Sequence, residues 1–165
     1  MSFHDGLLEQ AKALARRDQS RPRQSSLRRA VSTAYYALFH LLIHDSTRSL
    51  ITDAGLRKKL SRAFDHGEMK TASQAFANPS SNQLEKLKVG LVIPKELQEI
   101  AATFVSLQEA RHDADYNLIK RFTKLEVNDF ISDVDQAFRL WREIRKTSEA
   151  KTYSAALLFS KKLNR

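Results

Sequence analysis

Apolar residues return every three or four positions along most of this chain, and almost nothing interrupts them. Leu27, Val31, Ala34, Leu38, Leu41 and Leu42 form one such line, widened by Tyr35 and Phe39. That spacing is the period of an α-helix with one face turned from water. Breakers are scarce, with four glycines and three prolines in 165 residues, so the elements run long. Residues that cost little in a helix, among them Ala, Leu, Lys, Arg, Gln and Glu, are abundant. The pattern predicts an all-α protein. A helix apolar over so much of its circumference belongs at the centre of a bundle.

The same period places the other helices. The first is expected over 3–17, with Leu7, Leu8, Ala11 and Leu14 inward. Residues 18–24, with Ser20 and Pro22, read as a connection. The central helix follows over 27–47, with Ser25 or Ser26 as its cap. A shorter helix is expected over 53–64, capped by Asp53 and ended by His66-Gly67, with one or two further turns over 68–76. Asn78-Pro79-Ser80-Ser81-Asn82 is a turn cluster, and 86–92 reads as a loop or a short strand. Pro94 sits where a helix over 94–113 begins. A long closing helix starts near 125, with Val127, Phe130, Ile131, Val134, Phe138, Trp141 and Ile144 as its stripe. A further apolar patch spans 153–158. The expected architecture is an all-α helical bundle over 1–146, with a basic helical extension over 147–165.

The length suits one domain with a core of its own. The absence of cysteine excludes disulfides, thiol catalysis and thiolate metal sites. The N-terminus lacks a charged start followed by an apolar run, and 30–43, the most apolar stretch, is too short to span a bilayer. A cytoplasmic protein without a membrane partner is the expectation. The net charge of +9 is uneven: Lys and Arg against Asp and Glu give +6 for 1–65, −3 for 66–138 and +6 for 139–165. Basic ends suit a phosphate backbone, and an acidic middle argues against a uniformly basic groove. Ordinary solvated helix faces account for the same charges. There is no glycine-rich phosphate loop, and no cofactor is expected.

One position breaks the apolar pattern. Leu97, Ile100, Phe104 and Leu107 step along one helical face, and the next step of four lands on Arg111. A guanidinium there keeps its charge and needs a partner. Asp115 returns to the same face one turn later, and His112 and Tyr116 make a second pair beside it. Two roles fit Arg111. It fastens the helix end through Asp115, or it faces a phosphate while His112 or Tyr116 handles a proton. The central helix carries a polar stripe as well: Arg29, Thr33, Tyr36, His40 and His44. It reads either as a hydrogen-bonded core seam or as a functional groove. His40-Leu41-Leu42-Ile43-His44 has the spacing of two metal ligands but lacks the glutamate of a zinc-protease helix, so no metal is expected.

Two stretches together resemble the HEPN superfamily. One is Arg28-Arg29-Ala30-Val31-Ser32-Thr33-Ala34-Tyr35-Tyr36-Ala37-Leu38-Phe39-His40-Leu41-Leu42, which looks like the family's second helix. The other, Ala110-Arg111-His112-Asp113-Ala114-Asp115-Tyr116, is similar to its Arg-bearing helix end. The long closing helix with Trp141 fits too. The resemblance implies four or five antiparallel helices, commonly as a homodimer. It also implies RNA or a nucleotide as ligand, a nucleotidyltransferase or antitoxin as possible protein partner, and a place among toxin–antitoxin systems. The family's ribonucleases carry Arg, then four to six residues, then His. Here those positions hold Tyr116, Asn117 and Leu118, so Arg111 matches and no residue matches the His. Two expectations follow. The first is a binding or regulatory module that contacts nucleotide or RNA through Arg111, Asp115, Tyr116, Arg29, Tyr36 and His40. The alternative is a metal-independent ribonuclease with Arg111 and His112 as catalytic residues at a dimer interface.

Overall fold

The computed structural model describes residues 1–18 and 20–163, and among them every regular element is helical. In chain order they are α1 (Phe3–Arg16), α2 (Gln24–Leu50), α3 (Ala54–Leu60) with a 3-10 turn at Ser61–Ala63, α4 (His66–Ala77), α5 (Glu85–Lys88), α6 (Lys95–Tyr116), α7 (Lys124–Ile144) and α8 (Ser148–Leu163). The chain divides into two compact units. Unit 1 is Met1–Leu41 with Ser106–Phe138, and unit 2 is Leu42–Val105 with Arg139–Arg165. The boundaries fall inside α2, α6 and α7. Gln19, in the expected connection, and Asn164 and Arg165, in the expected extension, lie outside the described residues.

Unit 1 is an up-and-down arrangement of α1, the first part of α2, the end of α6 and most of α7. Phe3 of α1 meets His40 late in α2, so these two helices form an antiparallel hairpin. Lys12 pairs with Asp135, and His4 packs on Phe138, which sets α7 antiparallel to α1. Local chemistry fixes the helix starts. Ser2 Oγ accepts from Asp5 N while Asp5 Oδ2 accepts from Ser2 N, a reciprocal capping box. Thr123 and Glu126 repeat it at the start of α7. The central stripe is buried as expected, with Val31, Ala34, Tyr35 and Leu38 fully enclosed. Two sequence expectations shift. α2 begins at Gln24, so Ser25 and Ser26 lie inside the helix rather than capping it. α1 buries His4, Leu8, Ala11 and Ala15, a line rotated from the expected one, which leaves Leu7 and Leu14 on its flanks.

Unit 2 is built around α4 and α8. Phe76 packs on Tyr153, and Ser160 donates to the Glu68 carbonyl, so the two helices run antiparallel. α4 is a full helix of 12 residues, not one or two turns. Asp65 caps it by accepting from Gly67 N and Glu68 N, so His66 opens this helix rather than ending the one before. Asp53 caps α3 as expected, at 2.6 Å from Leu56 N. Residues 86–92 hold no strand: α5 is one turn, followed by coil. Of the expected extension, Ser148–Leu163 fold as α8, and Tyr153, Ser154, Ala156 and Leu157 are buried within unit 2. No helix among the described residues is long and apolar enough to cross a membrane.

Candidate functional site

The two stretches that stand out in the sequence dock on each other inside unit 1. The interface begins with Arg28 on the first turns of α2. Its guanidinium donates to four carbonyls: Asp113 and Ala114 at the end of α6, and Asn117 and Lys120 beyond it. The last carbonyls of a helix lack partners and carry the negative end of its dipole. α6 has no basic residue in its last turn, and Arg28 supplies that charge from α2. One turn along, Ser32 donates to Asp115 Oδ1 at 2.6 Å.

Arg111 then crosses to α2. Its Nη2 donates to the Tyr36 hydroxyl at 3.0 Å, and its guanidinium lies 5.6 Å from the ring centres of both Tyr35 and Tyr36. Nε is 3.0 Å from Asp115 Oδ2. That contact is an ion pair without a hydrogen bond, since the buried Nε–H has no acceptor in line. The Arg111 side chain is 16% exposed. Burial opposes its charge. The Tyr36 hydrogen bond and the neighbouring Tyr36, Asp115 and Tyr35 groups outweigh that, and the guanidinium's pKa is raised. Asp115 therefore fastens Arg111 and also receives Ser32. Both roles expected of the pair begin from this arrangement: a brace between α6 and α2, and a fixed cation at the helix end.

His112 takes a different direction. Adjacent residues on a helix do not face each other, and its exposed ring packs on Tyr116 at 5.2 Å. Within one chain the structure groups Arg111 with Tyr36 and Asp115, and His112 with Tyr116. Tyr36 and His40 continue outward from Arg111. Their rings are stacked at 6.2 Å, and His40 meets Phe3 edge-on at 5.0 Å. Phe3 is 69% exposed, while Tyr36 and His40 are half-buried. The result is a row of three rings, Tyr36–His40–Phe3, that starts at a held guanidinium. Arg29, exposed on the same stripe of α2 two turns before Tyr36, adds a second cation to this face. Of the polar stripe, Arg29, Tyr36 and His40 are thus at least partly exposed in unit 1, Thr33 is buried there, and His44 lies in unit 2. Phe3 is the member that sequence reasoning missed, because a lone aromatic ahead of an apolar stripe carries no signal until its neighbour is known. Among the described residues no group of three or more His, Cys, Asp or Glu could hold a metal ion.

No family model, no curated protein and no solved structure matches this chain.

Proposed function

We propose that this protein is a HEPN-like nucleotide- or RNA-binding module that uses the ring row of unit 1 as its base platform. One observation carries the reading: a guanidinium held on two tyrosine rings stands at the head of three successive, partly exposed rings, Tyr36, His40 and Phe3. Single strands and nucleotides are held by this combination, with rings stacking on bases and cations taking phosphates. Arg29 and Arg111 are the phosphate groups' partners in this reading, and Asp115 and Tyr116 border the site. The docking of Arg28–Tyr36 on Arg111–Asp115 supports the family resemblance, because both motifs then serve one interface. A homodimer, or a pairing with a nucleotidyltransferase or antitoxin, belongs to the same reading. The ribonuclease alternative requires Arg111 and His112 in one site. Since they turn to different neighbours within the chain, that site would draw His112 from a second copy.

Fluorescence anisotropy with labelled single-stranded RNA and with a labelled nucleotide tests the proposal. Phe3→Ala and His40→Ala should each weaken binding by about tenfold or more, the cost of losing one stacked base. If both variants bind like the parent protein, the platform is not the site. If the RNA is cut, and Arg111→Ala and His112→Ala both abolish cutting, the ribonuclease alternative replaces the binding module.

A further inference from the structure

The antiparallel order of unit 1 gathers two connections at one end. Arg28 and Ser32, early in α2, meet the last turn of α6, and Tyr36 further on meets Arg111 a turn earlier, so α6 ends where α2 begins. α7 runs antiparallel to α1, so it begins where α1 ends. A two-way contact ties the connections together. Gln24 Nε2 donates to the Phe122 carbonyl at 2.7 Å, and Phe122 N donates to Gln24 Oε1 at 2.9 Å. The end face of unit 1 is therefore built from 117–125 and the described residues of 17–23. It is basic: Lys and Arg against Asp and Glu give +2 for 17–23 and +3 for 117–125.

Two aliphatic side chains project from this face. Leu118 and Ile119 are 87% and 92% exposed, yet the loop that carries them is tied down. Asn117 Oδ1 accepts from Ile119 N and Lys120 N, a turn closed by an asparagine side chain. Arg28 donates to the carbonyls of Asn117 and Lys120, on either side of the pair. Phe122 is buried beneath, with Lys120 and Arg28 against its ring. Scattered exposed apolar residues are ordinary. Two in succession, on a backbone whose flanking groups are already bonded, form a pre-organised tip. The cations around it are largely open. Among the described residues, only Arg23 and Lys120 of the six have an acid partner, Asp18 at 3.7 Å and Glu126 at 2.9 Å. Arg17, Arg21 and Arg121 are exposed.

We infer that this end of unit 1 docks on an anionic lipid bilayer, with Leu118 and Ile119 entering the headgroup boundary and the arginines on the headgroup phosphates. An apolar tip in a basic collar supplies the two attractions that hold peripheral proteins, burial of apolar side chains and attraction to anionic lipid. The bonds around Asn117 serve the same end, since backbone groups near hydrocarbon need partners within the protein. Charge and area set the other occupants aside. A nucleic acid would take the cations and leave the aliphatic pair in water. A second copy meeting this face end on end would set like charges together. A protein interface of ordinary size buries about 800 Å² on each side around an apolar centre, which a two-residue tip does not supply. The sequence expectation of no membrane partner rests on spanning stretches, and contact of this kind needs none. No residue is shared with the ring platform, so the two proposals stand or fall separately.

Co-sedimentation of the full-length protein with vesicles tests this, using phosphatidylcholine alone and phosphatidylcholine with an equal part of phosphatidylglycerol. Only the anionic vesicles should carry the protein down, and added salt should weaken the binding. Leu118→Asn and Ile119→Asn should each weaken it by about tenfold, the loss of one buried aliphatic side chain. Arg21→Gln and Arg121→Gln should each weaken it by about fivefold. All four side chains are exposed, so the variants should keep the parent's circular dichroism. The chain has no cysteine, so Ile119→Cys takes a single environment-sensitive dye. Its emission should shift to the blue on anionic vesicles, and the same dye at Gln10→Cys, midway along α1, should stay unshifted. Binding that both asparagine variants leave intact is attraction without insertion and overturns the proposal. Absence of binding to anionic vesicles overturns it too. In that case, single-stranded RNA affinity lowered by both arginine variants assigns the face to nucleic acid, and a dimer that Ile119→Asn splits assigns it to a second copy.

Discussion

Arg111→Met separates the brace from the ligand site. The substitution keeps the volume at the end of the α6 stripe and removes the charge. Four contacts are lost. The bond from Nη2 to the Tyr36 hydroxyl is charge-assisted, a type worth about 1.5–3 kcal/mol. The two ring contacts are worth about 0.5–1 kcal/mol each at a partly open site, and a thioether recovers part of that. The ion pair with Asp115 adds at most about 1 kcal/mol, because Asp115 is one-third exposed and the pair is screened. Against these losses, methionine avoids the desolvation of a charge. The net is a loss of about 1–3 kcal/mol. For a chain of this length each kcal/mol lowers the midpoint of thermal unfolding by roughly 2–4 °C, so a fall of about 2–12 °C is expected by circular dichroism. Asp115 keeps its bond from Ser32 in the variant, so no buried charge is stranded to inflate the result. Tyr36→Phe keeps the ring and removes only the hydroxyl. Its double-mutant cycle with Arg111→Met should return a coupling of about 1–2 kcal/mol that survives 0.5 M salt. A variant as stable as the parent, with no coupling to Tyr36→Phe, refutes the brace. If stability falls while RNA affinity is unchanged, Arg111 is a brace alone and the platform consists of its rings.

Three other perturbations address contacts of the same network and of unit 2. Arg28→Ala removes the donor shared by four carbonyls and should cost about 2–3 kcal/mol, with faster amide exchange over 117–123 read by hydrogen–deuterium exchange. Asp45→Asn should flatten the acid limb of the stability curve. Burial of Asp45 is outweighed by bonds from His44, Arg145 and Trp141, and its folded pKa lies below its ordinary value, so its contribution is present above about pH 4 and is lost as pH falls further; an acid titration identical in both proteins contradicts this. Tyr153→Phe removes the buried partner of the Ser73 hydroxyl, 2.7 Å away, and should cost about 1–3 kcal/mol in urea unfolding with the helical content unchanged.

What the sequence made legible follows side-chain size. The large apolar stripes of α2, α6 and α7 show their period plainly, and Leu97, Ile100, Phe104 and Leu107 are all buried. α4 and α8 pack through small residues instead, Ala72, Ser73 and Ala75 against Ser154, Ala156 and Ser160, with Met69, Phe76 and Tyr153 among them. Ser and Ala allow close helix approach without reading as apolar, so the length of α4 and the burial of the last segment were hidden. The same limit applies to α1, where buried His4 and Ala15 stand in for the leucines that a hydropathy pattern favours. Legibility of the site had a different limit. The step rule that found Arg111 at the end of one stripe also lands on Asp45 at the end of another, so an ionisable residue in phase with a core face is the transferable signal. Its partners are not in phase with anything. Tyr36 and Ser32 reach Arg111 and Asp115 from 75 and 83 residues away, and Trp141 and Arg145 reach Asp45 from 96 and 100. A single sequence therefore states where a buried charge must be satisfied. Only the packing of helices states by whom, and whether the satisfying groups keep a face open to solvent, as Tyr36, His44 and Arg145 do.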